Sequence, residues 1–119
     1  IWYLIDSPKL SYNANQVFQK IEGGKAQLII PAIVIAEIIY LVQKGKIHAD
    51  LDNLLQKIMD SDNFQISPLG LNGLLCLKEQ TEIPEMHDRF IVCEALLKKA
   101  KLITKDERIK DSRMVEVLW

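Results

Sequence analysis

The chain has 119 residues, 49% of them apolar and 26% charged. That size and balance fit one soluble globular domain with a real core and leave no room for two. Fifteen Lys and Arg against sixteen Asp and Glu give a net charge of −1, which excludes a uniformly basic nucleic-acid binder and a disordered acidic tail. The longest apolar stretch, residues 28–36, contains Pro31 and ends at Glu37, well short of the roughly 18 residues a bilayer span needs.

In chain order, residues 1–5 (I-W-Y-L-I) have neither a charged n-region nor a small-residue cleavage site and do not read as a signal peptide. Ser7-Pro8 reads as an N-cap with proline at the first helical position, and Leu10, Ala14, Val17, Phe18 and Ile21 follow at helical spacing until Gly23-Gly24. Residues 27–30 predict a strand closed by Pro31, feeding a helix over 33–44 that is apolar nearly all round and stops at Gly45. An amphipathic helix is predicted over 49–59, a strand over 63–67 and a helix over 69–80 weakened by Gly70 and Gly73. After a loop around Pro84, a helix is predicted from Arg89 to Lys99, then strands over 101–104 and 114–118. Strands alternating with helices imply parallel βαβ units, an α/β protein. Cys76 and Cys93 have no C-x-x-C spacing and no basic setting, and read as reduced core residues of a cytoplasmic protein.

Three acids stand out. Glu37 interrupts a run of otherwise apolar side chains, and an unpaired carboxylate buried there would cost several kcal/mol, so a cation or a hydrogen-bond network should face it. Its plainer reading is rotation to solvent or pairing with a lysine. Asp88, just ahead of the predicted Arg89 helix, reads by itself as an N-cap. Asp106 lies just beyond a predicted strand, where ligands bind in parallel sheets, and by itself reads as an Asx-turn residue in the loop through Glu107 and Arg108. If the acids converge they cannot all stay ionised without a counterion, and a hard divalent cation such as Mg²⁺ or Mn²⁺ resolves the conflict with oxygen ligands. Such a site performs phosphoryl chemistry without a histidine or a protein nucleophile. His48 reads as a surface residue, and His87 beside Asp88 as a possible substrate contact.

Three segments carry a resemblance: P-A-I-V-I-A-E-I over residues 31–38, H-D-R-F-I over 87–91 and L-I-T-K-D-E-R-I over 102–109. In order and spacing they resemble the PIN-domain nuclease family, in particular the VapC-like toxins of toxin–antitoxin pairs, over nearly the whole chain. The resemblance implies a three-layer α/β/α domain over residues 1–119 with a central, mostly parallel sheet. It also implies that Glu37, Asp88 and Asp106 are three of four acids that hold Mg²⁺ or Mn²⁺ and cut RNA, with Thr104 in support. The family's first aspartate ends a central first strand in a D-T-x-x-L pattern that is absent here. Either residues 1–5 belong to the helix after that strand and the acid lies about half a dozen residues upstream, the preferred reading, or residues 2–7 are the strand and Asp6 is the acid.

Residues 98–113 hold seven basic side chains (Lys98, Lys99, Lys101, Lys105, Arg108, Lys110, Arg113) against Asp106, Glu107 and Asp111. This segment reads either as a basic rim for RNA phosphates, with Arg89, Lys105 and Arg108 as substrate-binding candidates, or as a solvated face that complements helix C-termini. The expected function is thus a cytoplasmic Mg²⁺- or Mn²⁺-dependent endoribonuclease, a homodimeric toxin with a cognate antitoxin. The alternative is a degenerate PIN-like module that binds RNA or a protein partner without cleaving.

Overall fold

The computed structural model describes residues 7–119; the readings of residues 1–5 and of Asp6 lie outside the described residues. By its contacts the chain divides into two compact units, Ile1–Ser67 and Pro68–Trp119.

In the first unit, α1 (Tyr12–Glu22) is capped by Ser11, whose Oγ accepts from the Ala14 N–H at 3.1 Å. The expected Ser7 cap is displaced because Ser7 closes a turn of its own, its carbonyl accepting from the Leu10 N–H at 3.2 Å. After β1 (Leu28–Pro31) the chain turns at once into α2 (Ala32–Gln43), then α3 (Leu51–Asp60) and β2 (Phe64–Ser67). β1 and β2 pair in parallel, from Leu28 opposite Phe64 to Pro31 opposite Ser67. Pro31, with no N–H to give, stands at the end of this ladder, a position where proline is tolerated. Ile30, Ile35, Ile38, Leu54 and Ile58 form the core. Gly45, at φ +66°, supplies the left-handed residue after α2 that Cβ-bearing residues adopt only with strain.

α2 is less buried than its composition predicts. Only Ile35 and Ile38 are buried, because a helix covers one stripe against its core and leaves the opposite one outside. Ala36, Tyr40 and Gln43 form the exposed stripe, and Glu37 is half-buried at the margin with Ile33 and Leu41. The full desolvation penalty expected for Glu37 therefore does not apply.

The second unit comprises α4 (Leu71–Glu79), α5 (Met86–Lys98), β3 (Leu102–Ile103), α6 (Glu107–Ser112) and β4 (Val117–Leu118). β3 and β4 are parallel, Leu102 opposite Val117 and Ile103 opposite Leu118. Ile83, Val92 and Ile109 are its buried core, with Leu102, Met114, Val115 and Val117 packed around them. Both strand pairs are thus parallel with helices between their strands, the α/β class the sequence implies. The cysteines depart from expectation: Cys76 on α4 and Cys93 on α5 form a disulfide, their Cα atoms 5.8 Å apart. Packing α4 on α5 brings the two residues within bridging distance, so they are neither reduced nor evidence of a cytoplasmic setting. No helix among the described residues is long and apolar enough to cross a membrane.

Candidate active site

α5 begins three residues earlier than its apolar spacing predicts. Glu85 is the N-cap, its Oε2 accepting from the His87 N–H at 2.9 Å. This contact is the main reason the Glu85 carboxyl is held below its usual range. The His87 ring also lies beside that oxygen, Nδ1 at 3.2 Å. Asp88 is therefore not the cap, as expected, but a first-turn residue whose carboxylate is left to point elsewhere. Arg89 donates from Nε to the Ile83 carbonyl and from Nη2 to the Pro84 carbonyl at 3.5 Å. Its guanidinium thus ties the loop ahead of α5 to the helix.

The second acid is placed by the carboxyl end of β3. Thr104 Oγ1 accepts from the Asp106 N–H at 3.1 Å, which fixes the backbone where the strand turns into α6. Asp106 caps α6, Oδ1 accepting from the N–H groups of Arg108 at 2.8 Å and Ile109 at 3.4 Å. The segment expected to be a loop is thus a short helix, and the anticipated local role of Asp106 occupies one carboxylate oxygen. Its other oxygen, Oδ2, lies 3.1 Å from Arg108 Nη2, and the same nitrogen lies 3.8 Å from Asp88 Oδ2. One guanidinium nitrogen thus sits between two carboxylates from different elements.

The two acids respond oppositely. Burial, the Asp106 charge and the Glu85 charge raise the Asp88 pKa above its ordinary value, partly opposed by Arg108. The Arg108 side-chain hydrogen bond, with the backbone bonds of the cap, holds Asp106 below its ordinary value. The Arg108 guanidinium is in turn held more firmly charged by Asp106. Oxygen donors of like charge that share one cation fit a hard divalent ion, which commonly reaches a protein through one or two carboxylates and keeps several waters. Asp88 and Asp106 are the residues that could hold it here; no cluster of three or more His, Cys, Asp or Glu side chains suited to a metal occurs among the described residues.

Of the residues singled out in the sequence, Asp88, Asp106, Thr104 and Arg108 come together at the end of β3, with Arg89 beside them on α5. Lys105 is exposed between Thr104 and Asp106. Glu37 belongs to the other unit, on α2, and His48 is exposed, as expected. Sequence reasoning missed Glu85 as the cap and Arg108 as the bridge between the acids. The Asp106-x-Arg108 spacing carried a signal for half of that bridge, since a residue two positions past an N-cap can reach back to it; the Asp88 half depends on tertiary placement.

Asp106, just past the carboxyl end of β3, and Asp88, on the first turn of α5, meet where ligands bind in parallel α/β sheets, which makes the pair a candidate active site. The PIN domain model matches residues 1–113, so the chain belongs to the PIN domain family. In fold it is similar to a chain in the crystal structure of VapBC2 from Rickettsia felis bound to a DNA fragment from their promoter. The TM-score there is 0.69 at 18% identity, over 98% of this chain and 89% of that one. VapBC-1 from nontypeable Haemophilus influenzae gives a TM-score of 0.49 at 20% identity, over 76% of this chain and 72% of that one. At these identities the likeness is one of fold, and it rests on the first. No curated protein matches the chain.

Proposed function

We propose that the chain is a Mg²⁺- or Mn²⁺-dependent endoribonuclease that hydrolyses RNA phosphodiesters. It acts as a single PIN domain, the VapC-like toxin of a toxin–antitoxin pair, as a homodimer restrained by a cognate antitoxin protein. The observation that carries this reading is the Asp88–Arg108–Asp106 cluster, two carboxylates gathered on one positive nitrogen in a member of the PIN domain family. The fold likeness to a VapBC2 chain supports the toxin–antitoxin assignment.

Asp88 and Asp106 would serve as metal ligands in their ionised forms; the case for Glu37 as a further acid rests on the family motif over residues 31–38 alone. A bound divalent cation supplies activation of water and shielding of the charge that develops during an in-line displacement. Thr104 holds the Asp106 backbone in place, so the carboxylate enters the site from a fixed turn. Arg89 fixes the loop ahead of α5, and with it the first turn that carries Asp88. Lys105 and Arg108 provide positive charge for substrate phosphates, which makes binding fall with salt. The test is incubation of single-stranded RNA with the purified chain and Mg²⁺ or Mn²⁺: metal-dependent cleavage abolished by EDTA is expected. Cleavage indifferent to EDTA, or RNA binding without cleavage, overturns the reading, the latter in favour of a non-cleaving module.

A further inference from the structure

Arg108 makes contacts that a rim residue for substrate does not need. Its Nη2 stands 3.1 Å from Asp106 Oδ2 and 3.8 Å from Asp88 Oδ2, and its Nε stands 3.4 Å from Asp106 Oδ1. The guanidinium therefore lies against both carboxylates, the two groups that would hold a divalent ion. A guanidinium and a divalent cation a few ångströms apart repel, so the two cannot both occupy that position at full strength. We propose that Arg108 is a resident counter-cation of the acid pair, which the divalent ion must displace, so that Arg108 sets the metal concentration at which the site loads. This proposal rests on the reading of Asp88 and Asp106 as metal ligands.

The structure permits such a displacement without disturbing the fold. The Arg108 side chain is 61% exposed, so it can swing into water, where an exposed ion pair holds it only weakly. α6 is anchored by other groups: Ile109 is buried in the core of the second unit, and Asp106 Oδ1 caps the helix through backbone N–H groups. Once displaced, the guanidinium remains at the mouth of the site and is available to a phosphate, so one residue serves the empty and the loaded state in turn. In the empty state it offsets the repulsion between two carboxylates that would otherwise destabilise the fold or take up a proton.

The experiment is a calorimetric titration of the full chain with Mn²⁺ in the absence of RNA, on the wild type, Arg108→Gln, Arg108→Lys and Lys110→Gln. Lys110 lies on the same helix and pairs with Glu107 at 3.7 Å, so its substitution removes a nearby charge from a different carboxylate. Arg108→Gln is expected to bind Mn²⁺ about tenfold more tightly than wild type, since it removes both the competitor and its repulsion. Arg108→Lys, which keeps the charge but loses the planar fork, should fall between the two. Lys110→Gln should stay within about twofold of wild type. Equal or weaker binding by Arg108→Gln overturns the proposal, as does an equal gain in Lys110→Gln, which would mark a general field effect. Absence of Mn²⁺ binding in every variant overturns the metal-ligand reading of the acids and this proposal with it.

Discussion

The two units hold their elements by different means. The first relies on apolar packing: Ile30, Ile35, Ile38, Leu54 and Ile58 interlock between a parallel strand pair and two helices. Its left-handed positions after helices are Gly24 and Gly45, which adopt that backbone without strain. The second has a smaller buried core of Ile83, Val92 and Ile109, a disulfide between α4 and α5, and an acid pair compensated by Arg108. Its left-handed positions are Lys99 and Arg113, both carrying a Cβ where glycine is preferred. The unit that holds the candidate site is thus the one with Cβ-bearing residues in left-handed backbone and an acid pair that needs a counter-charge, the pattern expected where function is placed at the expense of stability.

The largest expected stability effects separate the two means directly. Ile38→Ala in the first unit should cost about 3 kcal/mol, the transfer and cavity terms of a buried isoleucine, in reducing and non-reducing buffer alike. Reduction of Cys76–Cys93, which closes a sequence separation of 17, should cost about 3 kcal/mol. By hydrogen exchange the protection lost on reduction should lie in α4 and α5, with α2 and α3 unchanged. Equal loss in both units would break the comparison.

Smaller effects sharpen it. Lys99→Gly and Arg113→Gly should each stabilise by about 1 kcal/mol, because glycine relieves the left-handed backbone, whereas Gly45→Ala should destabilise. Thermal melts of the three variants decide this. The acids give the smallest effect. Asp106 is held below its ordinary value, so its contribution is complete above the ordinary aspartate range and is lost as pH falls through the lowered folded value. Asp88 is raised, so its ionised form costs stability at neutral pH, and that cost is relieved as pH falls through the raised folded value. Asp106→Asn should therefore flatten the acid limb of a stability–pH curve. Asp88→Asn should leave stability at pH 7 unchanged or raise it by less than about 1 kcal/mol.

Most of the fold was legible because local chemistry and tertiary packing agree. Gly23-Gly24 and Gly45 end α1 and α2 where the apolar spacing stops. The strand before Pro31 and the strand ending at Ser67 fall as predicted and pair in parallel. Where local signals competed, the structure chose among them: Ser7 and Ser11 are both competent caps, and Ser11 is the one that accepts from a helix N–H. Glu85 took the cap expected of Asp88 because α5 starts three residues earlier, at Met86, where the Glu85 carboxylate accepts from the His87 N–H. α6 was missed because E-R-I-K-D-S is six residues with one buried side chain, too short for periodicity to register. The disulfide had no sequence signal, since it depends on how α4 lies on α5. The family motifs located Asp88 and Asp106 as candidates, while the cation between them emerges only when two elements distant in sequence are brought together.

The central claim is that the Asp88–Asp106 pair is the working part of a metal-dependent nuclease, and the most direct test is cleavage of single-stranded RNA by Asp88→Asn beside the wild type at saturating Mn²⁺, with a thermal melt of each. The account predicts cleavage reduced by about a hundredfold or more with folding stability retained, since removal of one pre-positioned charge from a reacting site has effects of that size. Wild-type cleavage by Asp88→Asn would contradict it.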